Sequence, residues 1–319
     1  MTAVPLGDEV APQIELRQLT KRYGTRRGVL DLDLTVAEGE IFGFLGPNGA
    51  GKTTTIRVLM GLIRPSAGEA RVFGRDCWRQ STEVKALVGF LPGDVHLQEQ
   101  LSGRDVLAFF AAFRGSGDLT RGLKLAADLD LDLDVRVKHL SKGNRQKLAV
   151  VQALMHDAPL IILDEPSSGL DPLMQATLLQ LLREEQSRGR TVFLSSHVLP
   201  EVEQVAERVA IIREGRLVAV EDVARLKALR EREMLVLLAE PVPAAPERLA
   251  ALPGVRVLSV DPAGRQLRLA VRGAPGPLLR LLSELPVEDL TAGPPDLEEV
   301  FLHYYTGDGN TPDVAAADR

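Results

Sequence analysis

The chain is short of the residues that staple or span. Cys77 is the only cysteine among 319 residues, which excludes an intramolecular disulfide. No Cys/His spacing suits zinc, so a reducing cytosol is expected, with Cys77 an inert packing residue. Long apolar runs are missing too: PLIIL at 159–163 and VLMGLI at 58–63 fall well below the roughly 18 to 20 residues that cross a bilayer. The opening MTAVPLGDEVAP has no basic stretch followed by an apolar one, so no signal peptide is expected. A membrane role would therefore run through another chain. Positive charge is not in excess either, with 38 Lys and Arg against 44 Asp and Glu and a net charge of -6. Phosphate contacts need basic surface, so no nucleic-acid partner is expected.

What is present is an ordinary globular balance, 45% hydrophobic and 26% charged, in a chain long enough for two domains. Residues 13–222 alternate short apolar strand candidates with helical patterns, the mark of an α/β layer fold. The strand candidates are EIFGFLG (40–46), VGFLP (88–92), LIILDEP (160–166), TVFLSSH (191–197) and RVAIIREGRLVAV (208–220). Helices are predicted at about 51–62, 173–188 and 199–206, with a largely helical insert at 103–156. Inside that insert DLDLDLDV (128–135) alternates like a strand, but it lacks the central Gly and closing Glu of a calcium loop and suits a solvated face. Residues 232–305 carry a β-α-β-β-α-β order with a turn DPAG and a closing helix DLEEVFLHYY, which predicts a small ferredoxin-like α+β module. The ends, 1–12 and 307–319, have the composition of frayed tails.

Four stretches carry chemistry. GPNGAGKTT (46–54) fits G-x-x-x-x-G-K-[ST] and stands after a strand and before a helix. Its glycines let backbone N–H groups turn toward a polyphosphate, Lys52 supplies a cation to the outer phosphates, and the Thr53 hydroxyl can ligate Mg²⁺. LIILDEP ends an apolar strand in two carboxylates: Asp164 suits the Mg²⁺ shell, and Glu165 can polarise an attacking water. The bland alternative is a turn onset before Pro166. His197 ends a strand expected to run parallel to that of Asp164, so it can face the same phosphate edge. His96, His139, His156 and His303 are expected to be merely packed or exposed. HLSKGNRQK (139–147) reads as a helix start capped by Ser141, with open backbone at Gly143 and basic Lys142, Arg145 and Lys147, the outfit of an anion site.

The ordered set GPNGAGKTT, HLSKGNRQK, LIILDEP, SSGLDP and SSH closely resembles the ATP-binding subunits of ABC transporters over about residues 13–222. The terminal module looks like the C-terminal extension of bacterial ATPases serving ABC-2 type exporters, including the drug-resistance type. The resemblance implies a P-loop NTPase fold of the ABC ATPase type with a helical subdomain. It also implies that Tyr23 stacks on adenine, that Gly46, Pro47, Asn48, Gly49, Ala50, Gly51, Lys52, Thr53 and Thr54 cradle the phosphates, and that Thr53 and Asp164 serve Mg²⁺. Glu165 is then the general base, His197 contacts the γ-phosphate, and Asp171 lies in a loop facing a partner copy. LSKGN takes the place of the family's signature sequence, so Ser141 and Gly143 would complete the ATP site of a second copy. Such a subunit would be cytoplasmic, held to the inner face of the plasma membrane by a separate permease, and would hydrolyse ATP to drive export.

Two departures stand out. Lys142 and Asn144 replace Gly and Gln of the usual signature, leaving Lys142 either near the γ-phosphate or in solvent. Gly93 in GFLPGD stands where the family has a glutamine or glutamate that reaches the metal and the water. Asp94 or a water takes over that contact, or the loop serves only as a hinge. A nucleotide-dependent regulator, or a DNA- or ribosome-associated ATPase, is the alternative function. The single P-loop, and 112 residues (164 − 52) from Lys52 to Asp164 without a heptad run, fit the exporter subunit better.

Overall fold

A computed structural model describes residues 12–24, 26–115, 117–228, 231–273 and 275–292. The chain divides into two compact units, Met1–Glu221 and Asp222–Arg319.

The first unit holds two sheets. The antiparallel one is built from β1 (Ile14–Tyr23), β2 (Arg26–Val36), β4 (Ala67–Val72) and β5 (Arg75–Asp76) in the order β2-β1-β4-β5. The other takes β3 (Ile41–Leu45), β6 (Val88–Leu91), β7 (Leu160–Asp164), β8 (Thr191–Ser196), β9 (Arg208–Arg213) and β10 (Arg216–Asp222) in the order β10-β9-β3-β8-β7-β6. From β9 to β6 its neighbours are parallel. Every residue of β3, β7 and β8 is buried, which is why these strands read as unbroken apolar runs. Phe193 of β8 packs its ring on Phe42 and Phe44 of β3, at centroid distances of 6.0 and 5.4 Å. Each such buried aromatic contributes about 1.5–3 kcal/mol.

Helices α1 (Lys52–Leu59), α2 (Ser81–Ala86), α3 (Gly103–Phe113), α4 (Thr120–Asp128), α5 (Lys142–Leu154), α6 (Pro172–Ser187) and α7 (Leu199–Val205) complete this unit. Side chains set three of their starts: Ser102 forms a capping box with Asp105, Ser141 accepts from Asn144 N, and Asp171 accepts from Met174 N with Pro172 next in line. The expected fold class, an α/β P-loop architecture with a helical insert, is what these elements build. The insert is anchored by a buried ionic hub. Glu185 of α6 pairs with Arg121 of α4, with Arg190 and with Arg188, and Arg190 also donates to the carbonyls of His156 and Ala158, both at 2.7 Å, just beyond the end of α5.

The strand expected over 208–220 is two, β9 and β10. Glu214 and Gly215 between them take φ of 49° and 79°, a turn placed in the charged stretch REGR (213–216) that separates the two apolar runs. DLDLDLDV does not form a strand: Asp128 ends α4 and a loop follows. Leu129, Leu131 and Leu133 are buried while the aspartates face outward, and Asp134 N donates to Asp132 Oδ1 in a local turn.

The second unit contains α8 (Val223–Ala228), β11 (Glu231–Leu238), α9 (Ala245–Ala250), β12 (Val255–Val260), β13 (Gln266–Arg272), α10 (Gly276–Leu282) and β14 (Val287–Ala292). Its sheet order is β12-β13-β11-β14, every neighbouring pair antiparallel. Its own core gathers Val236, Leu238, Leu249, Leu269 and Leu278. DPAG closes the β12–β13 hairpin: Asp261 Oδ1 accepts from the backbone N of Arg265 and Gln266, both at 2.7 Å. The helix predicted from DLEEVFLHYY, with His303, lies outside the described residues.

Candidate ATP site

The C-terminal ends of β3, β7 and β8 are neighbours in one parallel sheet, so the loops leaving these strands gather at one edge. After β3 the loop 46–51 turns tightly back, with φ of 81° at Gly49 and 112° at Gly51. Close approach demands two glycines here. A side chain on Gly46 would meet Ile212 O at 2.4 Å, and one on Gly51 would meet Gly28 O at 2.9 Å. Gly46 N donates to Ser196 O at 3.2 Å, fastening the loop to β8. Gly51 precedes α1 without a side-chain cap, an end whose N–H groups suit an anion.

Lys52 is only 4% exposed. Its Nζ donates to Gly46 O at 2.6 Å and Pro47 O at 3.3 Å and pairs with Glu165 Oε1 at 3.1 Å. The loop's carbonyls thus hold a cation at its centre. Half-buried Thr53 and Thr54 come next, in the first turn of α1.

At the end of β7 the two carboxylates part. Asp164, 1% exposed, accepts from Ser195 Oγ at 2.6 Å through Oδ1. Glu165 leaves the strand with φ 51°, and its carboxylate reaches Lys52 on one side and His197 Nδ1, at 3.0 Å, on the other. Lys52, Asp164, Glu165 and His197 are therefore brought together within one chain. Tyr23 joins their neighbourhood through Gly28: a side chain there would meet Tyr23 Cε2 at 3.1 Å, and the Gly28 carbonyl is the one that crowds Gly51. The Tyr23 ring is partly exposed with Lys21 Nζ 5.4 Å from its centroid.

Ser141 and Gly143 belong to a different corner, against the loop after β7. The Ser141 hydroxyl accepts from Asn144 N at 3.1 Å, capping α5, and keeps its own hydrogen to donate, and a side chain on Gly143 would meet Gly169 O at 2.9 Å. The basic trio expected around them is mostly committed elsewhere. Arg145 Nε donates to Leu140 O at 3.1 Å, and Lys147, buried, donates to Asp130 O at 3.4 Å. Only Lys142 is exposed, its carbons 3.6 Å from where a Gly169 side chain would begin. Charge counting could not separate these three, because tertiary contacts decide which cation is free. Asp171 caps α6, and Ser167 Oγ donates to Glu201 Oε2 at 2.6 Å.

Gly93 lies beside Asp164: a side chain there would press on Asp164 Oδ2 at 2.9 Å. Asp94 is exposed, with its carbonyl 3.3 Å from His96 Nδ1. Of the other histidines, His96 and His139 are exposed and His156 is buried. Cys77 is buried, and desolvation pushes its thiol up to about 12, in keeping with an inert packing role. Sequence reasoning missed Ser195, which ties Asp164 to β8, and Gln146, whose Nε2 donates to Pro166 O at 3.0 Å. The SSH stretch holds a signal for the first, since β7 and β8 are adjacent; a glutamine inside a helix holds none for the second.

A glycine loop with a central lysine, set beside an acidic pair at the edge of a parallel sheet, defines a P-loop nucleotide hydrolase. Residues 29–168 match the ABC transporter family model. The chain is 35% identical over 298 residues to a daunorubicin resistance ATP-binding protein of Streptomyces coeruleorubidus, covering 90% of this chain and 94% of that protein. It is 37% identical over 208 residues to a bacitracin transport ATP-binding protein of Bacillus licheniformis, covering 64% and 68%. An ATP-binding subunit of an ABC transporter superposes with a TM-score of 0.63 at 29% identity, covering 67% of this chain and 92% of that one. The chain belongs to the ABC transporter family of ATP-binding subunits. It is an ATPase.

Proposed function

We propose that the chain powers a membrane exporter of the ABC-2 type, hydrolysing ATP between two copies of itself and passing the closure to a separate permease. The observation that carries this is the convergence of Lys52, Asp164, Glu165 and His197 at one sheet edge, in a chain whose relatives are named for drug resistance and for bacitracin transport. Among the described residues no helix is long and apolar enough to cross a membrane. Attachment to the inner face of the plasma membrane would therefore come from the permease. Residues 13–222 serve as the nucleotide-binding domain. Residues 232–305 serve as an accessory module, for which the strand order β12-β13-β11-β14 supports a ferredoxin-like reading.

In this mechanism Tyr23 offers its face to adenine, and Gly46, Pro47, Asn48, Gly49, Ala50, Gly51, Lys52, Thr53 and Thr54 wrap the phosphates. Lys52 exchanges the loop carbonyls for phosphate oxygens. That exchange also frees one oxygen of Glu165, which orients the water while His197 holds the other side and contacts the γ-phosphate. Thr53 and Asp164 fit Mg²⁺: both offer hard oxygen donors, and Asp164 is oriented by Ser195. No group of three or more His, Cys, Asp or Glu suited to a metal occurs among the described residues, so phosphate oxygens and water would fill the shell. The ion would supply charge neutralisation at the phosphates. Ser141 and Gly143 serve the nucleotide of the other copy, where the end of α5 meets the anion. At the place of Gly93, either Asp94 or a water takes over the contact with the metal, or the loop serves only as a hinge.

Mixed dimers test the arrangement. Lys52→Ala and Ser141→Arg should each abolish phosphate release alone. Mixing the two restores one complete site, because the intact P-loop and the intact α5 end come from different copies. Recovery of hydrolysis on mixing is expected; a mixture as inactive as its parents sinks the shared site.

A further inference from the structure

Glu165 holds a backbone conformation that side-chain-bearing residues seldom adopt, φ 51°, and such a residue persists only when its surroundings over-determine it. One side is fixed by β8: Glu165 N donates to Ser195 O at 3.2 Å and to Ser195 Oγ at 3.1 Å. The other side is fixed by a helix from a distant part of the chain. Gln146 of α5 points its Nε2 at the carbonyls of Glu165, at 3.3 Å, and Pro166, at 3.0 Å. Both partners are acceptors, so the group facing them is the NH₂ donor. Gln146 is 6% exposed and is followed along α5 by a run of buried residues. A buried amide is tolerated there because it is bonded.

We propose that Gln146 is a positioning residue for hydrolysis: it clamps the left-handed turn at Glu165 and Pro166 so that the Glu165 carboxylate stays aimed between Lys52 and His197. The inference rests on Glu165 being the group that orients the water. It adds a link the other site residues do not supply. Gln146 sits in the first turns of α5, three residues after Gly143, which is itself packed against Gly169 O. One helix start, offered to the nucleotide of a second copy, is thus bonded to the backbone of this copy's own Glu165. A tilt of α5 on meeting that nucleotide is transmitted to Glu165 through two hydrogen bonds.

Gln146→Met keeps the length and removes the donors, whereas Gln146→Asn keeps the donors and shortens their reach. In the full chain both should lower kcat by about tenfold to a hundredfold, the scale of a misplaced catalytic group. KM for ATP should stay near wild type, whereas the thermal midpoint should fall, because the Glu165 and Pro166 carbonyls lose their donor in a buried place. A wild-type kcat in Gln146→Met, or a loss confined to KM and the midpoint, overturns the proposal. In dimers left with one working site by Lys52→Ala in one copy, Gln146→Met should slow turnover only in the copy supplying Glu165. Slowing only in the copy supplying Ser141 overturns it too. Glu165→Gln is measured alongside. If that variant hydrolyses at the wild-type rate, the role of Glu165 fails and the inference falls with it; if it is inactive while Gln146→Met runs at full rate, the inference alone fails.

Discussion

His156 shows what burial does to a single side chain. It sits beside Arg114, Arg190 and Arg121, and desolvation together with those positive neighbours lowers its pKa from 6.5 to about 4, with Asp157 the opposing charge. Folded chains therefore keep His156 neutral where unfolded chains protonate it. The unfolded state binds the extra proton between pH 6.5 and 4, so stability is full above that window and is lost as pH falls through it. The thermal midpoint should fall over this range in wild type and fall less in His156→Gln; parallel curves would contradict the assignment. The same scale shows what sequence can and cannot convey about a site. That Lys52, Asp164 and Glu165 meet at one sheet edge is legible because a glycine loop after a strand and a carboxylate pair ending one have few other uses. The commitment of Arg145 and Lys147 to backbone carbonyls is not, since it depends on which way α5 faces.

At the scale of elements, periodicity reveals the buried parallel strands and the longer helices, because continuous apolar runs and capped starts are local signals. It fails where a local signal points the wrong way. The apolar runs on either side of REGR (213–216) read as one strand although the chain turns at Glu214 and Gly215, and the Asp/Leu alternation of 128–135 ends α4 and continues as a loop with three anchored leucines. The antiparallel β1 and β2 escape detection because their exposed positions are richly charged. Asp171 illustrates an element end with two duties. The family resemblance places it in a loop facing a partner, yet within the chain its carboxylate accepts from Met174 N at 3.0 Å and starts α6. Asp171→Ala should cost about 0.5–2 kcal/mol in urea unfolding, the usual value of an N-cap. A midpoint equal to wild type would show that the cap contributes nothing.

At the scale of the whole molecule, the P-loop, Asp164, Glu165 and His197 meet at one edge, while Ser141 and Gly143 pack against the loop after β7. The stretch that looks like a second anion site in the sequence is, in the proposed mechanism, half of a site completed by another copy. On that proposal each chain carries the hydrolytic half and supplies the closing half to its partner. Glu165→Gln tests this most directly, because it should leave ATP binding intact while removing the group proposed to orient water. Light scattering on the purified variant should show a monomer without nucleotide and a stable dimer with ATP, with phosphate release at least about a hundredfold below wild type, within the range of lost general-base catalysis. Hydrolysis at the wild-type rate, or a variant that stays monomeric at saturating ATP, would contradict it.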